Sequence, residues 1–283
     1  MKKILSIILA LTLVFALAAC GADKTPAATD NAGASDTPAE PVKLRVGASP
    51  TPHAEILNSV KERLLNDYNI DLEVVEYSDY VVPNTAVDEG EDDANYFQHT
   101  PYLDTFNAEN GTHLVSVAKI HYEPFGLYSD KVSDVSELED GATIAIPNDG
   151  SNEARALYLL EAQGLIKLDH KAGFNATVLD VIENPKNLTL QEVAAEMVAR
   201  TLDDVDGAIV NGNYALAAGL NIDDAIAVEA SDSDSAQTYA NILVVREGNE
   251  DNEAIKALVE VLTSDETRDF INETYHGAVV PIF

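Results

Sequence analysis

The stretch that most constrains the fold is residues 143–164, where a strand, a turn and a helix follow without a spacer. Thr143-Ile144-Ala145-Ile146 is a short apolar run. Pro147-Asn148-Asp149-Gly150 breaks it with turn chemistry. Ala154, Leu157, Tyr158 and Leu160 then recur at helical spacing, and Gly164 ends the segment. Such a unit aims unpaired backbone N–H groups and the positive end of a helix beyond the strand, a natural place for an anion. Arg155 sharpens the point. With Ser151 or Asn152 as helix cap, Arg155 lies in the first turn, where the dipole disfavours a cation. Its anionic partner is Glu153 or Asp149 at the surface, or a ligand carboxylate gripped bidentately.

The same alternation runs along most of the chain. Lys43 to Ala48 is a strand, and Ser49-Pro50-Thr51-Pro52 a turn with Thr51 as expected cap. Ile56, Leu57, Val60, Leu64 and Leu65 form a one-sided helical stripe. Strands are expected near Ile70–Val75, Ala94–Phe97 and Leu114–Ile120, with helices at Pro83–Glu89 and around Tyr102, Leu103 and Phe106. A second series starts near Leu127. It adds strands at Ala176–Ile182, Leu188–Val193 and Gly207–Val210, with helices at Ala195–Leu202 and after Asn211. Asn241–Arg246 is a further strand, followed by two amphipathic helices, Asn252–Leu262 and Asp265–Tyr275. The pattern predicts an α/β protein with largely parallel sheets, helices on both faces and ligands at the carboxyl ends of strands. His53, Tyr77, Tyr80, Tyr96, Phe97, His99, His121 and Tyr122 fall at or just past such ends.

A length of 283 residues suits two modest domains. The 49 acids outnumber the 17 bases for a formal charge of −32, which argues against nucleic acid and against docking on anionic lipid. The one cysteine, Cys20, rules out an internal disulfide. Lys2 and Lys3 precede an apolar run from Ile4 to Ala19, too short to span a bilayer, so residues 1–19 read as a signal peptide. Leu17-Ala18-Ala19-Cys20 resembles the lipobox of bacterial lipoproteins, which implies cleavage before Cys20 and a diacylglycerol thioether on its sulfur. Residues 20–41 have almost nothing to bury and read as a tether.

Chemistry is sparse. No G-x-S-x-G elbow, H-E-x-x-H pair, G-x-x-x-x-G-K-[ST] loop or C-x-x-C pair occurs. Asp92-Asp93 and Asp203-Asp204 read as solvated faces, not metal ligands. One arginine, several asparagines and aromatics at strand ends are the profile of a binding site. No enzyme, metal or cofactor is expected.

At this point the motifs carry a resemblance. Tyr80-Val81-Val82-Pro83-Asn84, the run from Ala94 to Leu103, Ile146-Pro147-Asn148-Asp149, the run from Val181 to Leu188, and Tyr239-Ala240-Asn241 are similar to the NlpA-type methionine-binding lipoproteins of ABC uptake systems. The resemblance covers about Lys43 to the C-terminus. It implies a two-lobed periplasmic-binding-protein-like fold of type II character, each lobe a mixed, mostly parallel sheet flanked by helices. Lobe 1 would be 42–123 plus 241–283, and lobe 2 would be 124–240. Arg155 would pair with the ligand carboxylate, and Asn211 and Asn241 would hold the head group. Tyr80, Phe97, His99 and Tyr102 would wall the side chain, with His121 or Tyr122 adding to it. Glu123 departs from the family pattern, which has an aromatic just before the proline; it could bind an ammonium or exclude a carboxylate. The implied partners are methionine (the L- or the D-form), ABC permease and ATPase subunits, and the extracytoplasmic face of the cell membrane through Cys20. Another small amino acid or a methionine-containing dipeptide is the alternative ligand; a surface hydrolase using His99 or His121 is the remaining reading.

Overall fold

The computed structural model describes residues 40–230 and 237–283. The expected signal peptide (1–19), Cys20 and nearly all of the expected tether lie outside these described residues. Thirteen strands are described. They are β1 (Val42–Ala48), β2 (Ile70–Glu76), β3 (Ala94–His99), β4 (Leu114–Tyr122), β5 (Gly126–Tyr128), β6 (Thr143–Pro147), β7 (Lys167–Leu168), β8 (Val181–Glu183), β9 (Thr189–Val193), β10 (Gly207–Val210), β11 (Ala227–Val228), β12 (Asn241–Arg246) and β13 (Val280–Pro281). The helices are α1 (Glu55–Tyr68), α2 (Val82–Glu89), α3 (Thr100–Asn110), α4 (Gly150–Ala162), α5 (Ala195–Val198), α6 (Gly212–Ala217), α7 (Glu253–Leu262) and α8 (Asp265–Tyr275).

The strands sort into two main sheets, each with its own core. The first has the order β13-β4-β12-β3-β1-β2, the second β11-β5-β10-β6-β9. Both are mixed. The parallel pairs are β1 with β2 and β3, and β6 with β9 and β10, the part that the β-α alternation predicts. Antiparallel pairing enters where β12 runs between β3 and β4, and where β5 lies beside β10 and β11.

Helices cover both faces of the first sheet because its strands are apolar on both sides. On one face Leu44, Val46 and Leu72 meet Ile56, Leu57 and Leu64 of α1 and Ile255, Leu258 and Val261 of α7. Each such fully buried side chain contributes about 1.5–3 kcal/mol. On the other face Phe97, Ile242 and Val244 meet Val87, Leu103 and Phe106. β3 is buried along its whole length although it carries Asn95 and Gln98. A side-chain amide network satisfies them. Asn84 Nδ2 donates to Gln98 Oε1 (3.0 Å), Asn95 Nδ2 to Asn84 Oδ1 (2.9 Å) and Gln98 Nε2 to Asn95 Oδ1 (3.0 Å).

Several local expectations change. Residues 176–182 do not form one strand. Thr177 and Asp180 make a reciprocal capping box over a short helical turn at Val178–Asp180, and only β8 follows in extended form. Thr51 is not a helix cap; it is extended (φ −136°, ψ 142°) within a wide turn at Pro50–Ala54 that precedes α1. Asp92 is not a solvated face. Its buried carboxylate accepts from Arg45 Nε at 2.6 Å and Tyr77 Oη at 2.9 Å.

Candidate functional site

The α4 N-terminus is capped by Asp149, not Ser151 or Asn152: its Oδ1 accepts from Asn152 N at 3.1 Å. That moves the helix start to Gly150 and places Arg155 in the second turn. The partner of Arg155 is neither Glu153 nor Asp149. Nε donates to both Glu229 oxygens at 3.0 and 3.1 Å, and Nη2 to Glu229 Oε2 at 2.6 Å. Nη2 also donates to the Glu123 carbonyl at 2.9 Å. The guanidinium lies 4.2 Å from the Tyr239 ring centroid and 4.7 Å from that of Phe125. Arg155 is 4% exposed. Burial alone would lower its pKa; the Glu229 carboxylate outweighs that and holds the proton above the ordinary arginine value. Among the described residues Nη1 has no hydrogen-bond partner, so that end of the fork is available.

Arg155 lines a small cavity between the two sheets, about 20 Å³ in volume. Tyr80, Phe97, Gln98, His99 and Tyr102 line it from the first sheet's side, and Asn152, Arg155, Asn211, Gly212 and Asn213 from the second's. Glu123 and Asn241 stand where the chain passes between the two sheets. Seven of the eight expected site residues meet here: Tyr80, Phe97, His99, Tyr102, Arg155, Asn211 and Asn241. His121 does not. It is fully buried behind Glu123, because its ring is fixed between Tyr96 Oη and Glu123 Oε1.

The apolar end of the cavity is an aromatic cluster. Tyr80 packs against Phe97 and Tyr102, with centroids 5.6 Å apart in both cases, and against Tyr214 at 5.0 Å. Contacts across the cavity hold the sheets together: Tyr80 Oη donates to Asn213 Oδ1 at 2.6 Å and Tyr214 Oη to the Ser78 carbonyl at 3.1 Å.

The polar end is an amide and imidazole network. His99 Nδ1 accepts from Tyr102 N (3.2 Å), capping α3, and its Nε2 bonds Asn152 Oδ1 (3.1 Å). Burial, helped by the charge of Arg155, pushes His99 down to about 3, so it is neutral. Asn211 precedes α6 but makes no side-chain cap. Its Nδ2 donates to Asn152 Oδ1 (2.9 Å), while its buried Oδ1 has no partner among the described residues. A buried orphan acceptor beside a cavity is a place for a donor. Asn241 Oδ1 faces His53 Nε2 at 2.9 Å.

Sequence reasoning singled out Glu123 but not Gln98, Asn152, Gly212, Asn213 or Glu229. Gln98 and Asn152 sit inside motifs already informative. Glu229 has no local signal, since it lies 74 residues from the arginine it meets.

Two lobes with an aromatic and amide-lined cavity between them define a solute-binding protein of the periplasmic type. The chain belongs to the NlpA lipoprotein family, whose model matches residues 44–283. The methionine-binding lipoprotein MetQ of Bacillus subtilis is 44% identical over 280 residues, covering 96% of this chain and 97% of that protein. A nutrient binding protein from Burkholderia cenocepacia, solved bound to methionine, is 43% identical with a TM-score of 0.81, covering 85% of this chain and all of that one. A periplasmic substrate-binding protein of an ABC transporter from Coxiella burnetii is 39% identical with a TM-score of 0.79, over 84% of this chain and all of that one.

Proposed function

We propose that the chain is a membrane-anchored receptor that binds methionine in the inter-lobe cavity and passes it to an ABC importer. The observation that carries this is the cavity's polarity. One end offers a buried guanidinium with a free Nη1 and an orphan amide oxygen on Asn211; the other is a cage of Tyr80, Phe97 and Tyr102. A zwitterionic head group suits the first, and a soft thioether suits aromatic edges. On this reading the ligand carboxylate takes Arg155, and Asn211 and Asn241 hold the head group. His99 orients Asn152 at the same end, while His121 acts from behind Glu123.

Sheet membership supports lobes of 42–123 plus 241–283 and 124–240, with opening and closing about the strands that cross between them. Cys20 is the proposed lipid anchor, on the extracytoplasmic face, and the permease and ATPase subunits are the proposed partners. The site binds its ligand without turnover. The test is calorimetry on the purified mature protein with a panel of amino acids, plus mass spectrometry of any co-purifying molecule. Saturable, near-stoichiometric binding of methionine supports the reading. Preference for a methionine-containing dipeptide or another amino acid reassigns the ligand, and hydrolysis of a bound compound removes the receptor role.

A further inference from the structure

The charges buried around the cavity are unequal. Arg155 is the one arginine or lysine among its lining residues, and Glu229 already neutralises it through the fork described above. Tyr122 Oη fixes that carboxylate further, donating to Glu229 Oε2 at 2.6 Å. Glu123 is the carboxylate on the cavity wall itself, 5% exposed; Arg155 acts on it through space, but among the described residues no lysine or arginine forms an ion pair with its carboxylate.

Glu123 is held from behind by two imidazoles. Its Oε1 lies 2.7 Å from His121 Nε2 and 3.5 Å from His53 Nε2. Tyr96 Oη bonds the far nitrogen of His121, so a neutral His121 receives the phenol's hydrogen at Nδ1 and gives its own at Nε2 to Glu123. His53 Nε2 faces two oxygens, those of Asn241 and Glu123, and therefore carries its hydrogen. Both imidazoles are fully buried, and burial keeps them neutral: His53 falls to about 4 and His121 to about 3. Donors aimed at Oε1 favour the ionised carboxylate, opposing the burial that raises its pKa. The other oxygen lies directly against Gly212, where a Cβ would come within 2.7 Å of Glu123 Oε2.

We infer that the cavity selects first for a free ammonium and only second for a free carboxylate: Glu123 is the ammonium's counter-ion, and His53 and His121 are its positioning residues. This rests on the amino-acid-binding reading above. The guanidinium is paired with Glu229 whether or not a ligand acid arrives, whereas the Glu123 carboxylate feels Arg155 only through space and gains a directly paired cation only from the ligand. Such a site takes primary amines with a short apolar tail and rejects acids that lack the amine.

The experiment uses two deletions of methionine that add no bulk, measured by calorimetry on the mature protein. 3-(Methylthio)propylamine lacks the carboxylate; 4-(methylthio)butanoate lacks the ammonium. The amine is expected to bind about tenfold weaker than methionine, and the acid about 1000-fold weaker or not at all. Glu123→Gln should cut methionine affinity about 100-fold and bring the two deletion compounds within about tenfold of each other. His121→Ala should move the ranking the same way, which mere loss of packing would not. A butanoate that binds as well as the amine overturns the inference while leaving methionine binding intact. Failure of methionine itself to bind overturns the underlying reading instead. The ranking on the unsubstituted protein is decisive even where a variant fails to fold.

Discussion

Replacing Arg155 with alanine tests the coupling between site and fold. The substitution removes three N–H···O contacts of 2.6 to 3.1 Å to Glu229 and leaves that carboxylate, 12% exposed, without its cation. Removing one partner of a buried ion pair costs about 3–5 kcal/mol, chiefly because the other charge stays desolvated. A domain's total stability is about 5–15 kcal/mol. At about 2–4 °C per kcal/mol for chains of this size, Arg155→Ala should melt about 6–20 °C below the parent. The assay is thermal unfolding of ligand-free protein by circular dichroism, run as a double-mutant cycle with Glu229→Gln. Since the glutamine carries no charge, the double variant should recover at least about 1 kcal/mol relative to strict additivity. Methionine affinity is then compared at a temperature where every variant is folded. A single variant melting within 2 °C of the parent (roughly 1 kcal/mol or less), with additive energies, would refute the claim that the arginine is a structural cation as well as a ligand contact.

Three further outcomes are expected. Gly212→Ala would place a Cβ 2.6 Å from Glu123 Cβ, so the carboxylate must shift; methionine affinity should fall about tenfold by calorimetry while circular dichroism is unchanged. Acidification should destabilise the protein. The folded pKa values of His53, His99 and His121 lie below the unfolded value of 6.5, so the unfolded chain takes up protons first and stability declines as pH drops from 6.5 towards 4. Each contributes about 2 kcal/mol of loss by pH 5, with Glu123 and Asp149, raised by burial, acting in the opposite sense. His99 is the cleanest of the three because it faces Arg155 and no carboxylate, and a urea midpoint at pH 5 equal to that at pH 7 contradicts the assignment. Finally, Cys20→Ala should move the protein from the membrane fraction to the soluble fraction on cell fractionation, and continued attachment contradicts the anchor.

Much of the architecture was legible because hydrophobic periodicity reports local structure directly. The stripe Ile56, Leu57, Val60 and Leu64 faces the first core, and α7 and α8 fall where the pattern put them. Tyr80, Phe97 and His99, at or just past strand ends, gather at the cavity because the β-α order brings those ends together, while His53, Tyr77, Tyr96, His121 and Tyr122 do not line it. What was hidden depends on distant partners. Two candidate anions close to Arg155 in sequence were both wrong, since helix geometry gives Asp149 a capping task and Glu153 accepts from Val178 N at 2.8 Å. Glu229 reaches the guanidinium from another strand's end. The apolar run at 176–182 looked like a strand because periodicity does not register the Thr177–Asp180 capping box. His121 belongs to the same chemical network as the cavity, yet only side-chain orientation separates a lining residue from one a layer behind.

The place of β12 has a consequence for biogenesis. In the first sheet β3 and β4 do not touch as neighbours; the strand that joins them comes from residues 241–246, more than a hundred positions later. A ribosome that has released the first 240 residues has therefore made a half-sheet with two raw apolar borders and nothing to zip them. Completion waits for the carboxyl end. The last forty or so residues, which bring β12 between β3 and β4, are thus the latch of the whole first lobe.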